Sequence, residues 1–283
     1  MDCEATPVSR ADFERLRAFL YRTTGISFED GKYDYLNRRV QQRIAHTKAP
    51  DFRAYFALLQ GAARDEELQA FVNLVTINET YFFREEYQLR AIVRNMLAEI
   101  VARSPRRSTI RLWSMPCSTG EEPYSLAIHL LEHWPLADAF GIEIVGSDID
   151  TTALARARAG RYGKYALRNV PPPLLAKYFT RVSDDEHLIC EPLRESIQLT
   201  HVNLNEPALP VGHGDFDVVL CRNMLIYFDE VSRRRAVETI YESLRPGGFL
   251  CLGHAESMGR ISNLFVPRKF PDALVYQRPL EGA

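Results

Sequence analysis

The sequence lacks the features that mark membrane, secreted and nucleic-acid-binding proteins. No apolar run approaches the ~20 residues that a helix needs to cross a bilayer, so we expect no direct membrane insertion. The first residues, Met-Asp-Cys-Glu-Ala, carry neither the basic nor the apolar region of a signal peptide. The net charge of −2 argues against a nucleic-acid partner. These absences predict a cytoplasmic location.

Cysteine is scarce, and its spacing fits neither a disulfide framework nor a metal site. The five cysteines are an odd number and form no C-x-x-C pair. We therefore expect reduced thiols and no bound metal. Cys221 and Cys251 lie in apolar segments, where a thiol behaves as a small core residue.

Two common nucleotide-binding motifs are also absent from the loop Ser118–Gly120. This loop separates a predicted strand, Ile110–Ser114, from a helix predicted over Pro123–Trp134. The missing G-x-G-x-x-G weakens a dinucleotide-binding hypothesis, and the missing lysine excludes a P-loop. Glu121 and Glu122 disfavour a pyrophosphate. They suit a cationic cofactor better, such as the sulfonium of S-adenosylmethionine.

From Thr109 onward the pattern alternates between strands and helices, which predicts an α/β fold with a mostly parallel sheet. The predicted strands are Ile110–Ser114, Ile142–Ser147, Ile197–Val202, Asp217–Cys221, Phe249–Gly253 and Ala273–Arg278. The predicted helices are Pro123–Trp134, Thr151–Ala159, Pro173–Tyr178 and Val231–Leu244. Residues 160–196 form too long an interval for one crossover, so we expect a small β insertion there, with strands at Phe179–Val182 and His187–Cys190.

Polar residues collect where the predicted strands end. Asp148 closes the second strand, where an acid can accept hydrogen bonds from both hydroxyls of a ribose. Arg222, Asn223 and Tyr227 follow the strand Asp217–Cys221. Because the carboxyl ends of parallel strands meet at one edge of a sheet, these side chains predict one active site for a nucleoside-bearing cofactor.

Residues 10–103 are predicted to be all helical, and one of these helices carries a basic stripe. Arg39, Arg43 and His46 recur at helical spacing, and Arg38 adds charge beside them. Two interpretations remain open. The stripe is either a solvated helix face or a docking surface for an acidic partner.

The segment Asn78–Glu85 places three adjacent aromatic residues between polar ones. A capped turn with buried aromatics explains Phe82 and Phe83. It explains Asn78, Thr80 and Arg84 less well, and these three are therefore candidate functional residues.

Five motifs in order resemble one family over nearly the whole chain, from about Phe13 to Tyr276. They are Asn-x-Thr-x-Phe-Phe-Arg-Glu, Ser-Thr-Gly-Glu-Glu-Pro-Tyr-Ser, Ser-Asp-Ile-Asp, Cys-Arg-Asn-x-x-Ile-Tyr-Phe and Gly-His-x-Glu. Each motif is moderately specific, and the five together are strong. The chain resembles the bacterial chemotaxis-receptor glutamate methyltransferases, the CheR family.

This resemblance implies a fold and an activity. The family transfers a methyl group from S-adenosylmethionine to glutamate side chains on receptor signalling helices, leaving S-adenosylhomocysteine. Its fold is an N-terminal helical domain followed by a Rossmann-like methyltransferase domain with a β subdomain. Here we expect the receptor-docking helical domain over residues 1–88 and the methyltransferase domain over 89–283, with the β subdomain at about 160–196. The expected location is then the cytoplasmic face of membrane receptor arrays.

The resemblance also implies roles for individual residues. Asp148 would hold the ribose, Leu204 would lie by the adenine with its neighbour Asn203, and Arg84 and Tyr227 would be catalytic residues near the transferred methyl. The implied cofactor-binding residues are Asn78, Thr80, Arg84, Glu122, Asp148, Asn203, Leu204, Arg222 and Asn223. The implied receptor-docking residues are Arg38, Arg39 and Arg43.

The chain departs from the family pattern in a loop that holds the receptor in some members. Some family members hold a pentapeptide at the receptor C-terminus with a glycine-rich loop of the β subdomain. The corresponding loop here, Val182–His187, has no glycine, so we expect docking on the receptor helices alone. A small regulatory ligand or a response regulator is a further partner class.

Several alternatives stay open at this point. Two other functions remain open, namely a catalytically silent receptor-binding scaffold and a nucleotide-dependent oxidoreductase. Arg222 and Tyr227 also have purely structural interpretations. Arg222 would form an ion pair with Glu121, Glu122 or Asp148, and Tyr227 would only pack against its neighbours. Glu121 is expected to be exposed.

Overall fold

The computed structural model describes residues 8–61, 64–103, 109–137, 139–206, 208–210, 212–271 and 273–280. Cys3 and the rest of residues 1–7, which belong to the predicted helical domain, lie outside this part of the chain. No described helix has both the length and the apolar character needed to span a membrane.

Four helices form the N-terminal region: α1 (Arg10–Thr24), α2 (Tyr33–Thr47), α3 (Phe52–Leu58) and α4 (Arg64–Val75). Their ends follow capping rules. The side chains of Ser9 and Asp51 accept backbone N–H groups at the starts of α1 and α3, and Gly25 ends α1 in the left-handed conformation. The apolar faces meet in a separate core that includes Phe13, Leu16, Leu20, Leu36, Val40, Tyr55 and Phe71.

A continuous helical stretch then leads into an α/β region. It consists of α5 (Glu86–Ala91), a π-helical segment (Ile92–Met96) and α6 (Leu97–Arg103). The later helices are α7 (Glu121–His133), α8 (Thr151–Ala159), α9 (Lys164–Leu167), α10 (Pro172–Tyr178), α11 (Glu191–Ser196) and α12 (Glu230–Ser243). The strands are β1 (Thr109–Ser114), β2 (Gly141–Asp148), β3 (Arg161–Gly163), β4 (Phe179–Arg181), β5 (Glu186–Ile189), β6 (Ile197–His201), β7 (Phe216–Cys221), β8 (Leu244–Leu252), β9 (Val266–Lys269) and β10 (Leu274–Gln277).

Seven strands form one sheet in the order β6-β2-β1-β7-β8-β10-β9. The first five are parallel, and β10 and β9 are antiparallel. The order runs outward in opposite directions from β1 and β7, so a switch point lies between their carboxyl ends, where α/β folds bind ligands. Helices cover the buried strands, and the predicted α/β architecture is confirmed.

The remaining three strands form a small separate sheet in the order β3-β5-β4. The predicted hairpin strands correspond to β4 and β5, whereas β3 was not predicted. Backbone N–H groups of Val182 and Ser183 donate to the carbonyl of Glu186 and close the hairpin. The sheet extends from Arg161 to Ile189, within the interval expected for an insertion.

Two details of the main sheet differ from the predicted pattern. β9 was not predicted, and β8 begins at Leu244 rather than at Phe249. The register between β7 and β8 shifts after Phe216, so residues 245–248 form a bulge within the strand.

The helical domain contacts the sheet domain through polar groups at the start of α8. Asn73 on α4 donates to the Thr151 hydroxyl at 2.8 Å and accepts the Thr151 N–H at 3.0 Å. Gln69 donates to the Ile149 carbonyl at 2.8 Å. On the other side, Asn203 donates to the carbonyl of Thr23 at 2.8 Å. These contacts place the helical domain over the carboxyl edge of the sheet.

Candidate active site

A cavity lies at the switch point, between the carboxyl ends of β1 and β7 and the helical domain. It encloses about 1160 Å³ of space, including its opening to solvent. The helical domain contributes Thr24, Ile26 and Phe28 to the wall. All of the predicted cofactor-binding and catalytic residues line this one cavity: Asn78, Thr80, Arg84, Glu122, Asp148, Asn203, Leu204, Arg222, Asn223 and Tyr227.

The loop after β1 is shaped by backbone conformations that favour small residues. Ser118 and Gly120 both have positive φ, at 49° and 95°. A Cβ on Gly120 would lie 2.9 Å from the Tyr124 ring, so a larger residue would displace the start of α7. The turn directs the backbone N–H of Ser118 toward β2, where it meets Asp148 at 2.7 Å.

Asp148 is a buried carboxylate at the end of β2. One oxygen accepts the Ser118 N–H, and the other accepts the Asp150 N–H at 2.8 Å. Burial raises the pKa of Asp148 to about 6, although these hydrogen bonds oppose the shift. Each carboxylate oxygen has a second lone pair, so Asp148 still has acceptor capacity toward the cavity that it lines.

Arg222 occupies the centre of a nearly buried charge network. Its guanidinium lies 2.8 Å from the Glu122 carboxylate and 3.4 Å from that of Glu85, and it donates to the Arg84 carbonyl at 2.6 Å. Burial would lower the pKa of Arg222, but the two carboxylates outweigh burial and raise it. Of the three ion-pair partners left open from sequence, only Glu122 is seen among the described residues. Arg222 is therefore neutralised internally.

Glu122 is the other half of this pair. Its carboxylate also accepts the Ser114 hydroxyl at 2.7 Å. Burial raises the pKa of Glu122 in spite of the opposing effect of Arg222. The pair ties the start of α7 to the loop after β7, and so fixes the two sides of the switch point relative to each other.

Arg84 and Tyr227 lie together at the mouth of the cavity. Arg84 donates to the Glu79 carbonyl at 2.7 Å and forms no ion pair within the described residues. Burial raises the pKa of Tyr227, the Glu79 carboxylate raises it further, and Arg84 lowers it. The cavity mouth thus has a guanidinium without a carboxylate partner beside a half-buried phenol.

Asn78 links three parts of the site. Its amide donates to the Asp150 carboxylate at 2.6 Å, and its oxygen accepts the Ser118 hydroxyl at 3.0 Å. The hydroxyl of Thr76 reaches the same Asp150 oxygen at 2.8 Å. Asp150 caps α8 with its other oxygen, so it joins the interdomain segment to the loops that follow β1 and β2.

Asn203 and Asn223 are placed by contacts that the sequence did not reveal. The Asn203 side chain accepts the N–H of Asn205 and donates to Thr23, which fixes the interdomain seam beside Leu204. Asn223 has a φ of 58°, and its N–H donates to Glu256 at 2.8 Å. Glu256 also accepts the N–H of Gly253, so it holds the loops after β7 and β8 together.

The structure corrects one expectation and adds one residue. Glu121 is 3% exposed, not on the surface, because α7 begins at this residue and its first turn is packed; its carboxylate accepts the Thr119 hydroxyl. The sequence motif that contains Glu85 did not indicate a role for this residue. It joins Arg222 to His254, whose Nδ1 lies 2.9 Å from the Glu85 carboxylate.

The three predicted docking arginines on α2 have different environments. Arg38 is exposed, and Arg39 stacks over Tyr35 at 5.2 Å. Arg43 forms a two-pronged ion pair with Glu67, which also accepts the Tyr55 hydroxyl at 2.9 Å. Arg38 therefore presents its charge to solvent, Arg39 is only partly exposed, and Arg43 joins α2 to α4.

Other predicted features are found in the core. Cys221 and Cys251 are fully buried in β7 and β8, as expected. Trp113 in β1 is also fully buried, and its indole N–H donates to Ser147 at 2.8 Å. Within the described ranges, no group of three or more histidine, cysteine, aspartate or glutamate residues is arranged to hold a metal ion.

Comparison with known families shows the family to which the chain belongs. Residues 11–76 match the family model described as CheR methyltransferase, all-alpha domain, and residues 78–273 match CheR methyltransferase, SAM binding domain. The chain belongs to the CheR methyltransferase family. Its resemblance to this family is thereby confirmed, and the protein is a methyltransferase that uses S-adenosylmethionine. The cavity lies where the two matched regions meet.

Similar proteins match over nearly their whole length. The chain is 46% identical to chemotaxis protein methyltransferase 2 of Vibrio cholerae, over 97% of this chain and 95% of that protein. It is 36% identical to chemotaxis protein methyltransferase 2 of Pseudomonas aeruginosa, over 90% of both chains. It is 34% identical to the chemotaxis protein methyltransferase of Escherichia coli K12, over 94% of this chain and 91% of that protein.

The residues of the cavity fit the cofactor. Asp148 has spare acceptor capacity for ribose hydroxyls, and Met115, Ile149 and Leu204 give apolar surface beside it. Apolar walls with a few convergent polar groups are typical of small-molecule sites.

Proposed function

We propose that this protein methylates the carboxylates of glutamate side chains on chemotaxis receptors. Family membership gives the cofactor, and the relatives named above are chemotaxis protein methyltransferases. The observation that supports a carboxylate acceptor is the contrast between two arginines in the cavity. Arg222 is neutralised by Glu122 and Glu85, whereas Arg84 at the mouth has no carboxylate partner among the described residues. Arg84 can therefore receive an acidic side chain.

The proposed reaction needs alignment more than proton transfer. When bound, S-adenosylmethionine supplies a methyl carbon activated by its positively charged sulfur, which becomes neutral as the ester forms. A glutamate with a pKa of ~4.3 is already an anion at neutral pH, so no general base is required. The protein must hold this carboxylate in line and replace its hydration. We assign orientation to the planar guanidinium of Arg84 and the hydroxyl of Tyr227.

We assign the cofactor contacts to the other residues that line the cavity. Asp148 binds the ribose hydroxyls, and Leu204 lies against the base with Asn203 at its side. Asn78 and Thr80 close the cavity from the interdomain segment, and Glu122, Arg222 and Asn223 form its wall at the switch point. In this proposal Arg222 shapes the wall through its ion pairs, and Arg84 is the group that meets the substrate.

We also assign receptor docking to the helical domain, taken as residues 1–88, and catalysis to residues 89–283. The guanidinium groups of the exposed Arg38 and the partly exposed Arg39 would meet acidic positions on the receptor signalling helices. The β subdomain at about 160–196 has no glycine in its hairpin loop, so we propose that no C-terminal pentapeptide of the receptor is needed. The site of action is then the cytoplasmic part of the receptor array.

Transfer of radiolabelled methyl groups tests the function. The protein is incubated with receptor-rich membranes and S-[methyl-³H]adenosylmethionine, and the labelled bands are treated with mild alkali. The proposal expects label on receptor bands that alkali releases as methanol, because a carboxyl ester is base-labile. Alkali-stable label would contradict a glutamate ester, and no label would favour a silent receptor-binding scaffold.

A further inference from the structure

An exposed arginine is held between two aromatic rings beside the cavity mouth. The guanidinium carbon of Arg168 lies 3.5 Å from the centroid of the Tyr81 ring and 3.8 Å from that of Tyr165. Its Nη1 also donates to the Tyr165 carbonyl at 2.6 Å. A guanidinium so confined loses little side-chain entropy when it binds a further group.

This stack is coupled to the catalytic mouth through Tyr81, which lines the cavity. The guanidinium of Arg84 lies 5.8 Å from the centroid of the same ring. The N–H of Phe82 donates to the carbonyl of Ala166 at 2.9 Å, which joins the segment carrying Arg84 to the segment carrying Arg168. The guanidinium groups of both arginines therefore lie beside the ring of Tyr81.

The charge at this rim remains open to a partner. Like Arg84, Arg168 forms no ion pair within the part of the chain that the structure describes. The acidic group nearby is Glu79, whose carboxylate is 3.4 Å from the Tyr165 hydroxyl. Two guanidinium groups without carboxylate partners among the described residues, both beside the Tyr81 ring, suit a surface that carries two acidic side chains.

We propose that Arg168, held between Tyr81 and Tyr165, binds an acidic side chain that flanks the methylated glutamate on the receptor helix. The inference rests on the proposed function, and it adds a determinant of which glutamates are modified. Side chains three or four residues apart on a helix are neighbours, with Cβ atoms about 5–6 Å apart. One turn of helix can therefore present the target glutamate to Arg84 and a second acid to Arg168.

The test compares two soluble receptor signalling fragments from the same bacterium. One has a glutamate or aspartate four residues from a methylated glutamate, and the other has alanine at that position. Initial rates of methyl transfer are measured for wild-type protein, Arg168→Gln and Arg168→Lys. We expect wild-type KM to be about two- to fivefold lower for the acidic fragment, the range of an exposed ion pair. Arg168→Gln should abolish this difference, and Arg168→Lys should retain part of it.

The controls separate recognition from structure. Arg234→Gln removes an exposed arginine of α12 that pairs only with Glu230 in the described chain, and it should keep the wild-type difference. An Arg168→Gln variant that raises KM equally for both fragments would overturn the inference, because it would show that Arg168 only supports Tyr81. An unchanged preference would also overturn it.

The same experiment distinguishes failure of the inference from failure of the proposed function. If wild-type protein methylates neither fragment, the proposed function fails and the inference falls with it. If it methylates both fragments with equal KM, the function stands and the role of Arg168 is wrong. Binding of the two fragments in the presence of S-adenosylhomocysteine, followed by fluorescence anisotropy, gives the same comparison without turnover.

Discussion

The guanidinium of Arg222 lies 2.8 Å from the carboxylate of Glu122, and the two side chains are only 3% and 13% exposed. Glu85 adds a second carboxylate at 3.4 Å. Breaking such a pair from one side leaves an uncompensated charge in a poorly solvated place, which costs more than the pair contributes when intact. The pair joins α7 to the loop after β7, so stability and cavity geometry depend on the same residues.

Removal of this arginine should destabilise the fold strongly. We expect Arg222→Met to lower the free energy of unfolding by about 3 kcal/mol, because Glu122 and Glu85 lose their cationic partner. The measurement is urea unfolding at pH 7.5, followed by circular dichroism. Arg234→Met on the surface of α12 is the matched control and should change stability by less than about 0.5 kcal/mol. Equal losses in the free energy of unfolding would show that the buried ion pair contributes no more to stability than a surface pair.

Cofactor binding should depend on pH through Asp148. Its pKa of about 6 means that the carboxylate becomes protonated as the pH falls through 6, and it then offers fewer acceptors to ribose hydroxyls. We expect affinity for S-adenosylhomocysteine to fall between pH 7.5 and pH 5, with a midpoint near 6. Calorimetric titration at several pH values measures this dependence.

Substitution of Asp148 should weaken cofactor binding and remove its dependence on pH. Hydrogen bonds to a charged group contribute about 1.5–3 kcal/mol, so Asp148→Ala should weaken binding at pH 7.5 by at least roughly tenfold. Glu121→Gln is a suitable control, because burial also raises the pKa of Glu121 but its side chain does not line the cavity. A Glu121 variant with the same loss would refute the assignment to Asp148.

The shape of the Arg84 side chain should matter as well as its charge. A lysine at this position keeps the charge but loses the planar fork that orients a carboxylate. We expect Arg84→Lys to lower kcat for receptor methylation by on the order of 100-fold. Arg90→Lys, on the exposed side of α5 and paired with Glu86, should keep wild-type kcat. Wild-type turnover by Arg84→Lys would assign orientation of the substrate to another group.

Charge reversal on α2 should separate docking from catalysis. We expect Arg38→Glu with Arg39→Glu to raise the KM for receptor at least fivefold, while affinity for S-adenosylhomocysteine stays unchanged. The difference in KM between the wild-type protein and the double variant should shrink at high salt, because exposed charges are screened. Arg43→Glu should instead lower stability, since it places a second acid against Glu67. Normal receptor kinetics in the double variant would remove α2 from the docking surface.

The alternation of strands and helices was sufficient to predict the parallel part of the sheet and the edge where the site lies. Asp148 and Arg222 could be placed at the same edge from sequence because each lies at the carboxyl end of an apolar strand, and these ends share one edge of a parallel sheet. The strands β3 and β9 were not predicted, because β3 ends in glycine and β9 contains proline, and both residues are depleted in strands. Their pairing depends on the partner strands and not on their own residues.

The pairing of charges at the site could not be predicted from the same patterns. Sequence spacing allowed Arg222 three acidic partners, and the choice of Glu122 depends on where α7 begins. That helix starts at Glu121, two residues before Pro123, where the sequence predicted its start. Glu85 was hidden for a similar reason, since its left-handed backbone turns it toward Arg222 and His254.

Because Thr24, Ile26 and Phe28 of the helical domain form part of the cavity wall, a cofactor bound there would stabilise the contact between the two domains. A ligand that touches both halves of the chain opposes their separation, and at 100 times its dissociation constant it adds about 2.7 kcal/mol to that resistance. Protease sensitivity of the seam near Ile77 should therefore report how much nucleoside the cell supplies.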